Sequence, residues 1–415
     1  MPTSSVDRFA YDPFSREVMV NPLPWSKKLR ADHPVYYAEK YDTFIFSRFE
    51  DITELLSQGD NVFIASEQTL PTPEHLMAVR HDGPPPPLPM DPLPRSSNLG
   101  SPWYEQLRHA QLKPLRPRSV AGLESLMRLL ARERLDALVP LGEFDLTQEY
   151  GGMVAASIVC HLFDLDRSRA REVRDAVNAL TITDQETGGL DIELLVAQLV
   201  TIIQPAVEQR RRAGADGTVP LIDGLIDYRF EGRPLSDREV AMQLICVFVG
   251  GTETVPKITA HGLLELTQRP DQLAQVRADI DTNVPIAAEE MIRYCAPAQW
   301  FARTAHKDTT VAGQPIRAGQ RVMFLFGSAA RDEREFDRPD EFIWNRKIER
   351  VLSFGLGQHH CIGVHVARLE LRVLVSEFLK RVPEFSFDLA RSTRLPSSFQ
   401  WGWNSLFVKI GGKAQ

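Results

Sequence analysis

The string Phe354-Gly355-Leu356-Gly357-Gln358-His359-His360-Cys361-Ile362-Gly363 carries the residue most able to do chemistry, Cys361. Two glycines permit a tight loop, the cysteine stands at the entrance to an apolar helical stretch, and Gly363 lets something large approach the backbone. A sulfur placed there gains from unpaired backbone amides and from the positive end of a helix dipole, both of which favour the thiolate. That is a geometry for holding a sulfur anion. The residues alone leave a second reading open, in which Cys361 is a small buried hydrophobe beside a glycine turn.

Two other groupings could do chemistry. Gly250-Gly251-Thr252-Glu253-Thr254 sets a carboxylate and hydroxyls beside two glycines. Glu253 can relay protons and Thr254 can donate a hydrogen bond, as general acid chemistry demands, although by itself the string also reads as a helix break. Glu290-Met291-Ile292-Arg293 places a carboxylate and a guanidinium three residues apart, hence on one helical face, where they pair; such pairs are also common on solvated faces.

These groups need elements to position them. Ser236 and Glu239 form a capping box that opens an apolar helix running to about Leu266. At 1.5 Å per residue it would be roughly 45 Å long and could cross a whole domain. Pro256 removes a donor from that helix and crowds the Thr252 carbonyl, which predicts a kink costing about 3 kcal/mol and a wider groove beside Thr254. Further helices are expected around Leu126–Leu138, Ala170–Leu180, Leu194–Arg211 and after Cys361, the last apolar on two faces and so buried. His33 to Ser47 reads as a hairpin followed by a short helix from about Glu50 to Leu56, and strand chemistry returns from Thr309 to Phe326. Gly83 to Pro94 holds seven prolines and reads as a stiff loop, a linker or a polyproline ligand.

At every fixed position the cysteine string resembles the haem-binding loop of the cytochrome P450 family, F-G-x-G-x-H-x-C-x-G. Glu290–Arg293 is similar to that family's E-x-x-R helix, with Arg346 where the family has a second arginine, and Gly250–Thr254 is similar to its oxygen-binding [AG]-G-x-[DE]-T. The resemblance implies a mainly α fold with smaller β-sheets, residues 1–415 forming a single haem domain, and haem b (iron protoporphyrin IX) between the long helix and the cysteine loop. It implies Cys361 as axial ligand of the iron, with Phe354, Gly355 and Gly363 shaping the loop. His359, Arg303 and Arg108 would meet the haem propionates, and Tyr104 stands where the family's H-x-x-x-R pattern has histidine. Tyr104 and Arg108 also read as ordinary surface groups. Glu290, Arg293 and Arg346 would be a structural network, and Gly250, Gly251, Glu253 and Thr254 would serve oxygen activation. Ala330 departs from the family's common asparagine. Val247, Phe248, Gln299, Phe399 and Gln400 would bind substrate together with the proline-rich loop, and Trp300, Phe301 and Trp401 are offered by the same segments, implying a small apolar or aromatic molecule, although about half of such rings are expected to be core.

A net charge of -7 argues against a general nucleic-acid or anionic-membrane binder. No run of about 18 apolar residues exists to span a bilayer, and the opening residues lack a signal core, so a cytoplasmic protein without membrane attachment is expected, acting as a monomer. The four cysteines form no C-x-x-C pair, and neither a zinc ribbon nor a disulfide framework is suggested. With no flavin or iron–sulfur cysteine pattern, electrons are expected from a ferredoxin and its NAD(P)H-dependent reductase. Arg108, Lys113, Arg116, Arg118, Arg346, Lys347 and Arg350 form either a docking face for that partner or a solvated charged face. The activity expected from the resemblance is monooxygenation with O2. A peroxide-driven peroxygenase and a non-catalytic haem-thiolate sensor are the alternatives.

Overall fold

The computed structural model describes residues 9–65, 69–78, 101–179, 181–182 and 192–411; the proline-rich stretch 83–94 lies outside them. Its longest element is the 31-residue helix Asp237–Thr267. Both halves of the capping box form, with Glu239 N–H donating to Ser236 Oγ (3.3 Å) and Ser236 N–H to Glu239 Oε2 (2.7 Å). Helices Met153–Leu162, Ile192–Ala213, Ile280–Cys295 and Val364–Arg381 pack around it. From Val255 to Leu266 its side chains are buried on every face, as befits a helix that crosses an interior.

Pro256 lies inside this helix and has a specific neighbour. The helix runs through it as one element, and the ring seats on Gly151, where an added Cβ would lie 2.9 Å from Pro256 Cα. The proline thus packs against a glycine on the adjoining Leu146–Gly152 segment.

Residues Val35–Ala38 and Thr43–Phe46 form the expected hairpin, and helix Phe49–Ser57 follows. The hairpin belongs to a five-stranded sheet completed by Arg321–Leu325, Trp300–Ala305 and Phe63–Ile64, in that order. Alternation along Trp300–Ala305 sends Phe301 and Arg303 to one face of this sheet. A second sheet joins Phe385–Arg394, Trp403–Ile410 and Glu143–Asp145. Helix Val364–Arg381 buries Val366, Leu369 and Val373 together with Leu371, Leu374 and Phe378, as its two apolar faces require.

The Gly151–Pro256 contact is backbone against backbone and leaves no room for a methyl group. Gly151→Ala is expected to lower stability by about 1–3 kcal/mol, the usual cost of overpacking. The urea unfolding midpoint measures it, and an unchanged midpoint would show that the contact has slack.

Candidate active site

A cavity of ≈ 390 Å³ lies between the long helix, which lines it with Val247, Gly250, Gly251 and Thr254, and the cysteine loop, which lines it with Phe354, Gly355, Cys361 and Gly363. The loop is shaped by backbone conformation: Gly355 and Gly357 have φ of 72° and 69°, a region that side chains disfavour. The Cys361 N–H donates to the Phe354 carbonyl at 2.7 Å, which closes the loop. Gly363 is the N-cap of helix Val364–Arg381, and a Cβ there would meet nothing within 4 Å, so its side of the loop is open for a bulky occupant. Burial pushes the Cys361 thiol up; the Gly363 backbone N–H, then Arg108 and Arg368, pull it back toward the thiolate. A cation bound at the sulfur would complete what these groups begin.

Arg303 is the buried cation of the cavity wall best suited to meet an anion. It is buried, forms no ion pair with any described residue, and donates to the carbonyl of Ala302 at 2.8 Å. Burial lowers it to about 10, since desolvating a guanidinium is costly and the fields of Asp60 and Tyr104 offset that only in part. His359 lies nearby, its Nε2 2.8 Å from Asp60 Oδ1 and its ring stacked on Tyr104 at 4.1 Å. Burial pulls the His359 imidazole down, against the raising effect of the Asp60 bond. Arg108 donates to the Tyr104 hydroxyl (3.0 Å) and to the His360 carbonyl (2.6 Å), so it braces the cysteine loop and the phenol together. Tyr104, Arg108, Arg303 and His359 all line the cavity. A soft sulfur under an apolar slot, two glycines above it and a cluster of cationic and hydroxyl groups beside it fit a flat dianionic haem.

The expected structural network is assembled away from the cavity. Arg293 holds Glu290 by two bonds of 2.7 and 2.8 Å, both side chains being fully buried, and Arg346 Nε adds a third contact at 3.1 Å. Arg293 also donates to the carbonyl of Ala330 at 2.6 Å. Because the backbone of residue 330 makes this contact, an alanine serves there. The network's helix reaches the loop through Ser353 Oγ, which donates to the Ile292 carbonyl at 3.1 Å.

On the long helix, the Gly250 Cα faces open space, whereas a Cβ on Gly251 would lie 3.0 Å from Val159 Cγ2. Gly250 thus leaves the cavity clear and Gly251 lets a neighbouring helix approach. Thr254 lines the cavity and donates to the Gly250 carbonyl at 3.1 Å. Glu253 is not on the cavity wall. It is buried behind the helix, bonded to Lys257 Nζ and, at 2.9 Å, to Gln400 Nε2.

Of the five side chains expected to bind substrate, Val247 faces the cavity. Phe248, one step round the helix, packs edge-on against Phe163 at 5.1 Å in the core. Gln299 folds back on the carbonyls of Ala296 and Pro297, Phe399 packs on the N-terminal cluster that includes Trp300, and Gln400 serves Glu253. Phe301, which the sequence also offered, does line the cavity, together with Ile158, Val159, Leu162 and Ala298, whereas Trp300 and Trp401 are buried outside it. Sequence reasoning also passed over Asp60, the partner of His359, and Glu370. The latter lines the cavity with Oε1 unpartnered among the described residues, and burial raises its carboxyl to about 8, which favours the protonated form.

The family profile described as Cytochrome P450 matches residues 191–413. Putative cytochrome P450 126 of Mycobacterium tuberculosis is 32% identical over 287 residues, covering 68% of this chain and 69% of its own length. Putative cytochrome P450 123 of the same organism is 29% identical over 96% of both chains. Among solved structures, Mycobacterium marinum cytochrome P450 CYP268A2 in complex with pseudoionone superposes with a TM-score of 0.81 at 23% identity, covering 99% of both chains. The hydroxylase HmtN, involved in himastatin biosynthesis, does so with 0.78 at 25% identity, covering 94% of this chain and 98% of its own.

Arg303 bears a cost in the protein alone that an anion would repay. Arg303→Met is therefore expected to leave the urea midpoint of the haem-free protein unchanged or raised, while haem passes faster to an excess of apomyoglobin. Slower or unchanged haem loss would remove Arg303 from the propionate site.

Proposed function

The chain belongs to the cytochrome P450 family of haem monooxygenases, and on that premise we propose that it inserts one atom of O2 into a small, largely apolar organic molecule. The observation that carries this reading is the single cavity bounded by Cys361 on one side and by Thr254 with Gly250 on the other. Haem with a thiolate ligand supplies O–O cleavage and abstraction of hydrogen from carbon.

The chain's own residues do the rest. Cys361 would hold the iron through its sulfur, with the Gly363 N–H stabilising the charge. Arg303, His359, Arg108 and Tyr104 would take the propionates. Ile158, Val159, Leu162, Val247 and Phe301 exclude water and favour an apolar substrate. Thr254 holds its hydroxyl at the cavity edge, and the Glu253 carboxylate, paired with Lys257 behind it, would accept a proton and pass it on. The whole chain would act as one catalytic domain.

Electrons would come from a ferredoxin-type protein and its NAD(P)H-dependent reductase. The face proposed for that partner is narrower than the sequence suggests. Arg346 is buried against Glu290 and Arg350 is paired with Glu50 and Glu335, which leaves the exposed Lys113, Arg116, Arg118 and Lys347. Among the described residues, no helix is long and apolar enough to cross a membrane.

The test is isotopic. With ¹⁸O2, reduced ferredoxin and substrates chosen by their spectral displacement of iron-bound water, one labelled atom is expected in the product. Hydrogen peroxide alone should support only a small fraction of that rate. Full-rate turnover with peroxide would make the protein a peroxygenase, and tight binding without any turnover would favour a sensor.

A further inference from the structure

Glu253 begins a row of ionisable side chains at every fourth position of the long helix: Glu253, Lys257, His261 and Glu265, with Arg269 just beyond its end. A spacing of four stacks neighbours on one face. Lys257 Nζ bonds the Glu253 carboxylate. His261 Nε2 lies 3.3 Å from Glu265 Oε1, and Glu265 Oε2 lies 2.6 Å from Arg269. Side-chain exposure climbs along the row, from 1% at Glu253 and 3% at Lys257 and His261 to 10% at Glu265 and 28% at Arg269. The row thus leads from a sealed interior to solvent. The rest of this buried stretch is mostly apolar, where ionisable groups are expensive and aliphatic ones would pack as well.

Two buried atoms along the row have no hydrogen-bond partner among the described residues: His261 Nδ1 and Gln400 Oε1. The covering elements are polar too. Gly402 lies over Lys257, Trp401 meets the His261 ring at 5.3 Å and Tyr294 at 6.4 Å, while Arg331 and Arg394 oppose a positive charge on His261 and Glu265 favours one. Cys295 is the remaining titratable neighbour and is held as the thiol by burial.

We propose that this face of the long helix is a proton-uptake path, in which Lys257 and His261 pass protons from solvent at Glu265 to Glu253. The proposal rests on the reading of Glu253 as the proton relay behind Thr254. In one cycle, Lys257 gives a proton from Nζ to the Glu253 carboxylate, leaving a neutral amine beside a carboxylic acid. Among the described residues no hydrogen bond joins Lys257 to His261, so the amine recovers its proton from His261 across one turn of the helix, the imidazole accepting at one nitrogen and donating from the other. His261 is refilled from the Glu265 side. When Glu253 passes its proton on toward Thr254, every group has returned to its starting charge and one proton has moved inward.

The informative variants are Lys257→Arg and Lys257→Met in the holoenzyme. Arginine keeps the charge and the hydrogen bonds but cannot release a proton. Both variants are expected to slow turnover by roughly tenfold or more, within the range of a lost proton carrier, and to enlarge the solvent deuterium isotope effect. The substrate-induced spectral shift should not change. A second readout needs no turnover: in the reduced, CO-bound protein, ¹⁵N resonances of His261 should titrate, with a midpoint that rises when Lys257→Met removes the neighbouring charge. Parental rate and isotope effect in Lys257→Arg would overturn the path and leave lysine as a positioning residue, as would a His261 that does not respond to Lys257. Should Lys257→Met not fold, Lys257→Arg and the titration of His261 in the parent protein decide. Glu253→Gln separates the two levels: slowed turnover there with parental Lys257→Arg sinks the path alone, whereas parental turnover in Glu253→Gln sinks the reading beneath it.

Discussion

Burying a sulfur anion costs several kcal/mol unless hydrogen bonds and positive charge meet it. At Cys361 that requirement reaches outward through the molecule. The Gly363 N–H and the start of helix Val364–Arg381 face the sulfur, and Arg108 and Arg368 add positive field. Arg108 is itself fixed by Tyr104 and by the His360 carbonyl, so the cation and the loop it stabilises are one mechanical unit. Beneath them, Glu290 and Arg293 are fully buried and satisfied, and Ser353 ties their helix to the strand of chain that leads into the loop.

The two sides of the cavity handle charge in opposite ways. Beside the sulfur, Arg303 makes no ion pair among the described residues and feels Asp60 only through space, while His359 bonds Asp60 directly, which leaves Arg303 and Arg108 suited to a dianionic group. Across the long helix, Glu253 is compensated completely by Lys257 and Gln400 and withdrawn from the cavity. The first arrangement binds; the second stores a charge that can move only if Lys257 lets it. The long helix serves both because it passes through the interior with one face open at Gly250 and Thr254 and another lined with ionisable groups.

Much of this was legible in the sequence because it is local. The cysteine loop, the capping box at Ser236 and the Glu290–Arg293 pair depend on residues a few positions apart, and each appears where spacing placed it. The substrate wall was less legible. One residue of helix is about 100° of rotation, enough to send Val247 to the cavity and Phe248 to the core. Gln299 and Gln400 are governed by a bridge between residues 298 and 400 that no local pattern reveals. Asp60 meets His359 across 299 positions. Lys257 and His261 were within reach of a period-four reading, but the eye follows Glu253 and Thr254 as adjacent residues, whereas on a helix the neighbour of Glu253 is Lys257.

The central claim is that Cys361 holds haem iron through its sulfur. The measurement that tests it most directly is the absorption spectrum of the reduced, carbon monoxide-bound protein, recorded for the parent chain and for Cys361→Ser at equal haem content. Replacing sulfur by oxygen removes an electron-rich ligand, so the main band should move; a spectrum identical in both proteins would contradict the account.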